Sequence, residues 1–175
     1  MDIRKDITKK KIEDACLLLL NQKNIFDLSI KDICQKANIG RSTFYLHYKD
    51  INDLINCIEE EALLGIFNVC LENINKRIDE LCIISSQYIK KEYNLYKTLI
   101  LKTNFHFENK VKNKFENLFI SYFLKSDDTI FAKYYCSFVI HGAIGVVREW
   151  ILDDCLVDET LIVNEFIKKL KEQIF

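Results

Sequence analysis

The chain contains no proline among its 175 residues and only four glycines. Proline breaks helices more severely than any other residue, so long helices can run through this sequence without interruption. No segment shows the strict alternation of apolar and polar residues that indicates a half-buried strand. We therefore expect an all-α protein, and the chain is long enough to bury a substantial core.

Apolar residues recur at the spacing of one helix face along most of the sequence. Three short helices are predicted near 8–21, 30–37 and 41–47, and a long amphipathic helix begins after Asp50. Further helices are predicted near 77–91, 93–102, 105–124, 128–153 and 158–174. This arrangement predicts an N-terminal head, residues 1–50, on a C-terminal bundle, residues 51–175.

The segment from Ser29 to His47 carries signals for two helices joined by a tight turn. Ser29 and Asp32 have the spacing of a capping box, which starts a helix. Asn38 tolerates a left-handed backbone, and Gly40 is an acceptable N-cap for the next helix. Two short helices joined by a three-residue turn and braced by a third helix form a helix-turn-helix.

The charge is distributed unevenly between the two parts. Residues 1–50 hold ten Lys and Arg against seven Asp and Glu, a net charge of +3, whereas the remaining residues hold fifteen against nineteen, a net charge of −4. A basic head on an acidic body suits a nucleic-acid-binding module attached to another domain.

The segment SIKDICQKANIGRSTFYLHYKD, residues 29–50, resembles the DNA-binding segment of the TetR family of regulators. Its most specific part is Thr43-Phe44-Tyr45-x-His47-Tyr48, and Arg41 before it is similar to the branch of dihydroxyacetone-kinase operon regulators. The segment GAIGVVREWI, residues 142–151, resembles the C-terminal signature of that branch. The resemblance implies a homodimeric transcription regulator that binds operator DNA.

Residues 41–49 combine hydroxyls, an imidazole and two cations, which are the donors that a recognition helix needs in the major groove. Phe44 is assigned to the core. Where the family usually has a lysine, this chain has Ile51, and Lys49 is expected to contact phosphate instead. The predicted DNA-binding residues are Ser29, Arg41, Ser42, Thr43, Tyr45, His47, Tyr48 and Lys49.

The last two predicted helices carry apolar stripes that a small trunk cannot easily cover, so we expect them to form a homodimer interface. Gly142 and Gly145 share one face, where two backbones can approach closely. The predicted interface residues are Gly142, Gly145, Val146, Trp150, Val163, Phe166, Ile167, Leu170 and Ile174. The alternative is that these stripes face the core of the same chain.

Aromatic residues are frequent between residues 67 and 150, and aromatic-lined cavities between helices commonly hold small ligands. A small-molecule effector is therefore expected, although the sequence identifies neither the effector nor the residues that line its site. Most of these aromatic residues would also serve as core.

No catalytic, cofactor-binding or metal-binding pattern stands out. His106 and His141 have no recognisable partner motif, and the seven cysteines include no Cys-x-x-Cys pair and are expected mainly in the core. We expect no enzymatic activity, no cofactor and no metal. The charged N-terminus and the absence of a long uninterrupted apolar run suggest a cytoplasmic protein without a membrane segment.

A competing interpretation is a helical ligand-binding or protein-interaction module that keeps this fold without binding DNA. The net charge of −1 and Ile51 favour it. Binding to DNA distinguishes the two.

Overall fold

The computed structural model of the chain describes residues 3–103, 105–123 and 129–174, and at residues 3, 117, 119–123, 129–132 and 170–174 it describes the backbone alone. Every regular element in these ranges is a helix, as expected. In chain order they are α1 (Ile3–Gln22), a 3₁₀ turn (Ile25–Asp27), α2 (Ile30–Ala37), α3 (Arg41–Tyr45), α4 (Ile51–Glu72), α5 (Ile78–Lys91), α6 (Tyr93–Lys102), α7 (His106–Phe123), α8 (Thr129–Leu152) and α9 (Glu159–Ile174).

The predicted helices agree with these bounds to within about two residues, except at the start of α1. That helix begins at Ile3, five residues earlier than predicted, and residues 4–7 are exposed. An exposed first turn carries no apolar stripe, so the periodicity could not indicate it. The connection after α1 also contains the 3₁₀ turn, which the side chain of Asn24 caps.

The core of the head lies where α1, α2 and α3 meet. Ile12, Leu20, Ile33 and Phe44 are fully buried there, and Leu54 of α4 is fully buried in the same cluster. Burying an apolar side chain of this size stabilises a fold by about 1.5–3 kcal/mol. The head is thus held together by side chains from α1 to α4.

Helix α6 lies at the centre of the trunk and packs against α4, α5, α7 and α8. Tyr96, Leu99 and Ile100 of α6 are buried, and the Tyr96 hydroxyl donates a hydrogen bond to the carbonyl of Ala62 on α4, at 2.9 Å. Around this centre, α7 packs along α8, and α5 packs against both α4 and α9.

The head contacts the trunk through more than the continuous helix α4. Helix α1 packs on α6, where Thr98 Oγ1 lies 3.0 Å from Asn21 Oδ1. Lys9 of α1 forms an ion pair with Glu61 of α4. A displacement of α4 or α6 would therefore be transmitted directly to the head.

The sequence analysis expected no segment long and apolar enough to cross a membrane, but part of helix α8 meets this criterion. Within the part of the chain that the structure describes, Lys133–Leu152 is long and apolar enough to cross a membrane by length and composition alone, and 22% of it is buried in the fold. Its apolar residues are interrupted by Ser137, by His141 and by the adjacent Arg148 and Glu149, so the sequence contains no uninterrupted apolar run of this length. Arg148 in this stretch pairs with Glu108 of α7, at 2.8 Å, which is typical of a helix packed on its own trunk.

Candidate nucleic-acid interface and ligand cavity

The start of α2 is fixed by the capping box that the sequence predicted. The backbone N–H of Asp32 donates to Ser29 Oγ at 3.2 Å, and the backbone N–H of Ser29 donates to Asp32 Oδ2 at 3.3 Å. Lys23 Nζ also lies 2.6 Å from Asp32 Oδ2. The hydrogen bonds from Lys23 and Ser29 lower the pKa of Asp32 to about 2.

The turn between α2 and α3 has the predicted geometry. Asn38 has a left-handed backbone with φ of 54°, and the N–H of Ile39 returns to the carbonyl of Cys34 at 3.0 Å. Gly40 is the N-cap of α3 in an extended conformation. Because the turn is closed by these local bonds, the direction of α3 relative to α2 is fixed.

Helix α3 presents an exposed surface around one buried anchor. Phe44 is fully buried, as predicted, whereas Arg41, Ser42 and Tyr45 are exposed. The ring of Tyr45 packs edge-on against Phe44, with centroids 5.7 Å apart, and this contact orients the phenol toward the surface. Thr43 is half-buried beside them.

The structure adds Leu46 to this surface, a residue that the sequence analysis did not select. Its side chain is 83% exposed. An isolated apolar residue at the end of a polar helix gives no periodic signal. Its exposure next to Tyr45 is nevertheless what an apolar contact to a thymine methyl group requires.

Tyr48 does not lie on this surface, contrary to the prediction. It is 3% exposed, and its hydroxyl donates a hydrogen bond to Glu13 Oε1 at 2.8 Å. Burial and the neighbouring Glu13 carboxylate both raise the pKa of Tyr48. The aromatic residue that closes the motif is therefore a core residue that ties α3 to α1.

The remaining residues of the segment surround the exit of α3. His47 is half-buried, with its ring centroid 6.3 Å from that of Tyr48, and the side chain of Lys49 is exposed. The backbone N–H of Lys49 donates to Asp53 Oδ2 at 2.9 Å, which fixes the chain before α4. Ile51 packs against the core of the head.

The predicted dimer residues divide between two environments. Gly145 is exposed, and a Cβ atom at Gly142 or at Gly145 would meet nothing within 4 Å. Val146 and Ile167 are half-buried, and Phe166 is 40% exposed. The predicted side-chain contacts of Leu170 and Ile174 lie outside the residues whose side chains are described.

Trp150 and Val163 face the core of the same chain, which corrects the prediction that they form a dimer interface. Trp150 is 4% exposed and donates from Nε1 to the carbonyl of Val157 at 2.8 Å, and Val163 is 8% exposed. The exposed face of α8 instead carries Tyr134, Phe138 and Gly145. Because α8 is apolar on nearly all sides, its sequence pattern could not indicate which face is external.

A largely apolar cavity of about 340 Å³ lies in the trunk and is lined by residues of all six helices from α4 to α9. This volume is within the range of small-molecule sites. Among the aromatic residues of the trunk, those that line it are Tyr96, Phe107, Phe115, Phe138, Trp150 and Phe166. Gly142, Val146, Val163 and Ile167 of the predicted dimer set also line it.

Two buried carboxylates lie near the start of α7. Glu108 belongs to α7 itself, and Glu59 belongs to α4 and packs against α7. Glu108 lines the cavity, and its Oε1 accepts from Arg148 Nη1 at 2.8 Å. Glu59 of α4 is fully buried and is paired with His106, at 2.6 Å, and with Lys110, at 3.1 Å. In each carboxylate the second oxygen, Glu108 Oε2 or Glu59 Oε1, is buried without a hydrogen-bond partner among the described residues.

The histidines and cysteines form no metal-binding cluster in the described parts of the chain. His141 Nδ1 lies 2.7 Å from the carbonyl oxygen of Ser137 on its own helix. The cysteines are free; Cys16, Cys34, Cys70, Cys136 and Cys155 are buried, and Cys57 and Cys82 are half-buried. Burial raises the pKa of Cys82 to about 11, which makes its thiol a poor nucleophile.

Comparisons with known proteins agree with this architecture. Residues 76–172 match the model of a TetR-type family described as a transcriptional regulator C-terminal region. No curated protein matches the sequence at a significant level.

Several solved structures share the fold over nearly the whole chain. The dihydroxyacetone kinase operon activator DhaS is 22% identical, with a TM-score of 0.61 and 96% of each chain covered. A transcriptional regulator of the TerR/AcrR family from Aquifex aeolicus VF5 is 22% identical, with a TM-score of 0.68, 96% of this chain and 99% of that chain covered. A TetR transcriptional regulator from Streptococcus agalactiae 2603V is 17% identical, with a TM-score of 0.73, and the match covers 97% and 96% of the two chains.

The family model spans more than half of the chain, and the capped helix-turn-helix precedes it. The two segments that resemble the TetR family, residues 29–50 and 142–151, thus agree with the fold. The chain belongs to the TetR family of DNA-binding transcriptional regulators.

Proposed function

We propose that this regulator binds operator DNA as a homodimer and that a small effector in the trunk controls the binding. Residues 1–50 are the DNA-binding head, and residues 51–175 are the effector-binding and dimerisation trunk. The observation that carries the proposal is the surface of α3, a short helix held by the buried Phe44. Arg41, Ser42 and Tyr45 are exposed on this helix, and Leu46 is exposed directly after it.

The side chains of α3 and of the residues that follow it, up to Lys49, have the following roles in this proposal. Arg41 and Lys49 neutralise phosphates or donate to guanine, while Ser42, Thr43, Tyr45 and His47 donate to phosphates and base edges. Leu46 contacts the methyl group of a thymine. The hydroxyl of Ser29 caps α2 and donates to Asp32 Oδ2 at 2.6 Å, and Ser29 is proposed to approach phosphate at this helix start.

The homodimer is proposed to form through the exposed face of α8 together with α9. Tyr134 and Phe138 are 70% and 58% exposed, and the next turns of the same face carry His141 and Gly145. Exposed aromatic residues of this size are costly to leave in water. A second copy of α8 packed on this face would cover them, and the open space at Gly145 would let the two helices approach closely.

Effector control is proposed to act through α7 and α4. His106 and Lys110 of α7 hold Glu59 of α4, and α4 continues to the head. An effector that moves α7 therefore moves α4 and changes the separation of the two heads, so that the affinity for two half-sites changes. The proposed regulator is cytoplasmic and has no catalytic step.

The first experiment is a gel shift with DNA from beside the protein's own gene, at several salt concentrations. We expect specific binding that weakens steeply with salt, because counterions are released as phosphates are neutralised. A folded dimer that binds none of these fragments would favour the alternative of an interaction module that keeps the fold without binding DNA.

A further inference from the structure

Glu108 combines burial, a charge partner and a free acceptor at the wall of the apolar cavity. Its side chain is 9% exposed and lies on α7 beside Phe107, which also lines the cavity. Oε1 is occupied by Arg148 at 2.8 Å, and Arg148 donates also to the carbonyl of Ile100 at 3.2 Å. Oε2 is buried and has no hydrogen-bond partner among the described residues.

A buried carboxylate oxygen without a donor is costly, because it has lost its water without gaining a replacement. An apolar wall cannot satisfy it. A molecule that enters the cavity with a hydroxyl or an amino group would supply the missing donor and would bury its apolar part at the same time.

The charge of the lining argues against an anionic occupant. The described lining residues include two carboxylates, Glu108 and Glu159, and no Lys, Arg or His. The cations nearest to these carboxylates are already engaged, since Arg148 pairs with Glu108 and Lys90 pairs with Glu159 at 2.9 Å. A ligand carboxylate would therefore meet negative charge without a free cation.

We propose, building on the effector-controlled regulation above, that the effector is a mainly apolar molecule carrying a hydroxyl or amino group that donates to Glu108 Oε2. Because Arg148 already balances the charge of Glu108, a neutral hydroxyl satisfies the site as well as an ammonium group does. The bound donor fixes the first turn of α7. The same turn begins with His106, the partner of Glu59 on α4.

The test compares three probes that differ only in their polar group: 1-decanol below its solubility limit, and 1-decylamine and decanoate below their micelle concentrations. Calorimetry on the full-length protein measures the affinities, and thermal unfolding gives a second readout. We expect decanol and decylamine to bind at least tenfold more tightly than decanoate. We expect Glu108→Gln to reduce this preference severalfold, because the amide no longer repels an anion and can itself donate to it.

Glu149→Gln is the matched control, because Glu149 is an exposed carboxylate on α8 next to Arg148 in sequence. It should leave the preference unchanged. If Glu108→Gln folds poorly, the order of the three probe affinities on the unaltered protein still tests whether the cavity prefers a hydrogen-bond donor to an anion. Equal or tighter binding of decanoate would overturn the proposal, as would a preference that survives Glu108→Gln.

Two further outcomes would also count against the proposal. Probe affinity that falls as the protein dimerises would indicate that a second copy occupies the cavity. A protein that binds operator DNA but none of the probes would contradict this ligand class and leave the regulator function intact. Conversely, donor-selective probe binding without any DNA binding would support the cavity assignment while the regulator proposal failed.

Discussion

His106 Nδ1 lies 2.6 Å from Oε2 of Glu59, a fully buried carboxylate on the helix that joins the trunk to the head. The two residues are 47 positions apart in the sequence. Lys110, one turn further along α7, reaches the same oxygen at 3.1 Å. One carboxylate of α4 is therefore held by two side chains from the start of α7.

Replacing His106 with Ala should destabilise the fold by about 1–3 kcal/mol, because a buried acceptor loses a donor and only Lys110 remains. Urea unfolding followed by circular dichroism measures the change. Lys91→Ala, an exposed change at the end of α5, is the control and should have little effect. Equal stability of the two variants would show that the contact with Glu59 contributes nothing.

Changes on the exposed surface of α3 should weaken DNA binding without unfolding the head. Arg41→Ala and His47→Ala should each lose about 1–3 kcal/mol of operator affinity if these residues make charge-assisted contacts. Leu46→Ala should reduce the affinity less and relax the preference for one base pair. Fluorescence anisotropy measures the binding, with Lys91→Ala on the trunk as the control. Unchanged affinity in a folded Tyr45→Phe, His47→Ala double variant would contradict the assignment of this surface.

Tyr48→Phe should act on stability rather than on DNA contact. The change removes the donor of Glu13, whose carboxylate is buried, and hydrogen bonds to charged groups contribute about 1.5–3 kcal/mol. Urea unfolding should show a less stable protein, whereas operator affinity under native conditions should stay close to that of the unaltered protein. A large loss of affinity with unchanged stability would return Tyr48 to the DNA-binding surface.

The capping carboxylate of Asp32 should make the fold sensitive to acid. Its pKa in the folded protein, about 2, lies below the ordinary value of 3.8, so its contribution to stability is present above pH 4 and disappears as the pH falls toward 2. Asp32→Asn should therefore be less stable near neutral pH and should lose less stability between pH 4 and pH 2. Thermal unfolding across this range measures both effects. If the thermal stability of the two proteins fell in parallel between pH 4 and pH 2, protonation of Asp32 would not be the cause of the acid sensitivity.

Gly145→Trp should convert the proposed homodimer into a monomer. A side chain at this position meets open space in the isolated chain, so the fold should tolerate it, while a second α8 could no longer approach. Light scattering at micromolar concentration measures the mass, and circular dichroism checks the fold. Lys91→Trp, an exposed change on α5, should remain dimeric. A dimer that survives Gly145→Trp would exclude this face of α8.

The sequence by itself determined the features that depend on neighbours a few positions apart. The cap formed by Ser29 and Asp32, the left-handed Asn38 and the nearly complete set of helix bounds are local, and their spacing encodes them. The burial of Phe44 also followed from the pattern of its segment. Capping and turn chemistry need no knowledge of the rest of the fold.

Only the tertiary structure decided which side chains meet across the molecule. Tyr48 reaches Glu13 over 35 positions, and Arg148 reaches Glu108 over 40, so no periodicity links these partners. The same limit explains why Trp150 was assigned to the wrong surface, because α8 is apolar on the face that packs in the trunk and on the face that stays exposed. A helix that is apolar all round does not show from its sequence which side is covered, since burial depends on which helices surround it.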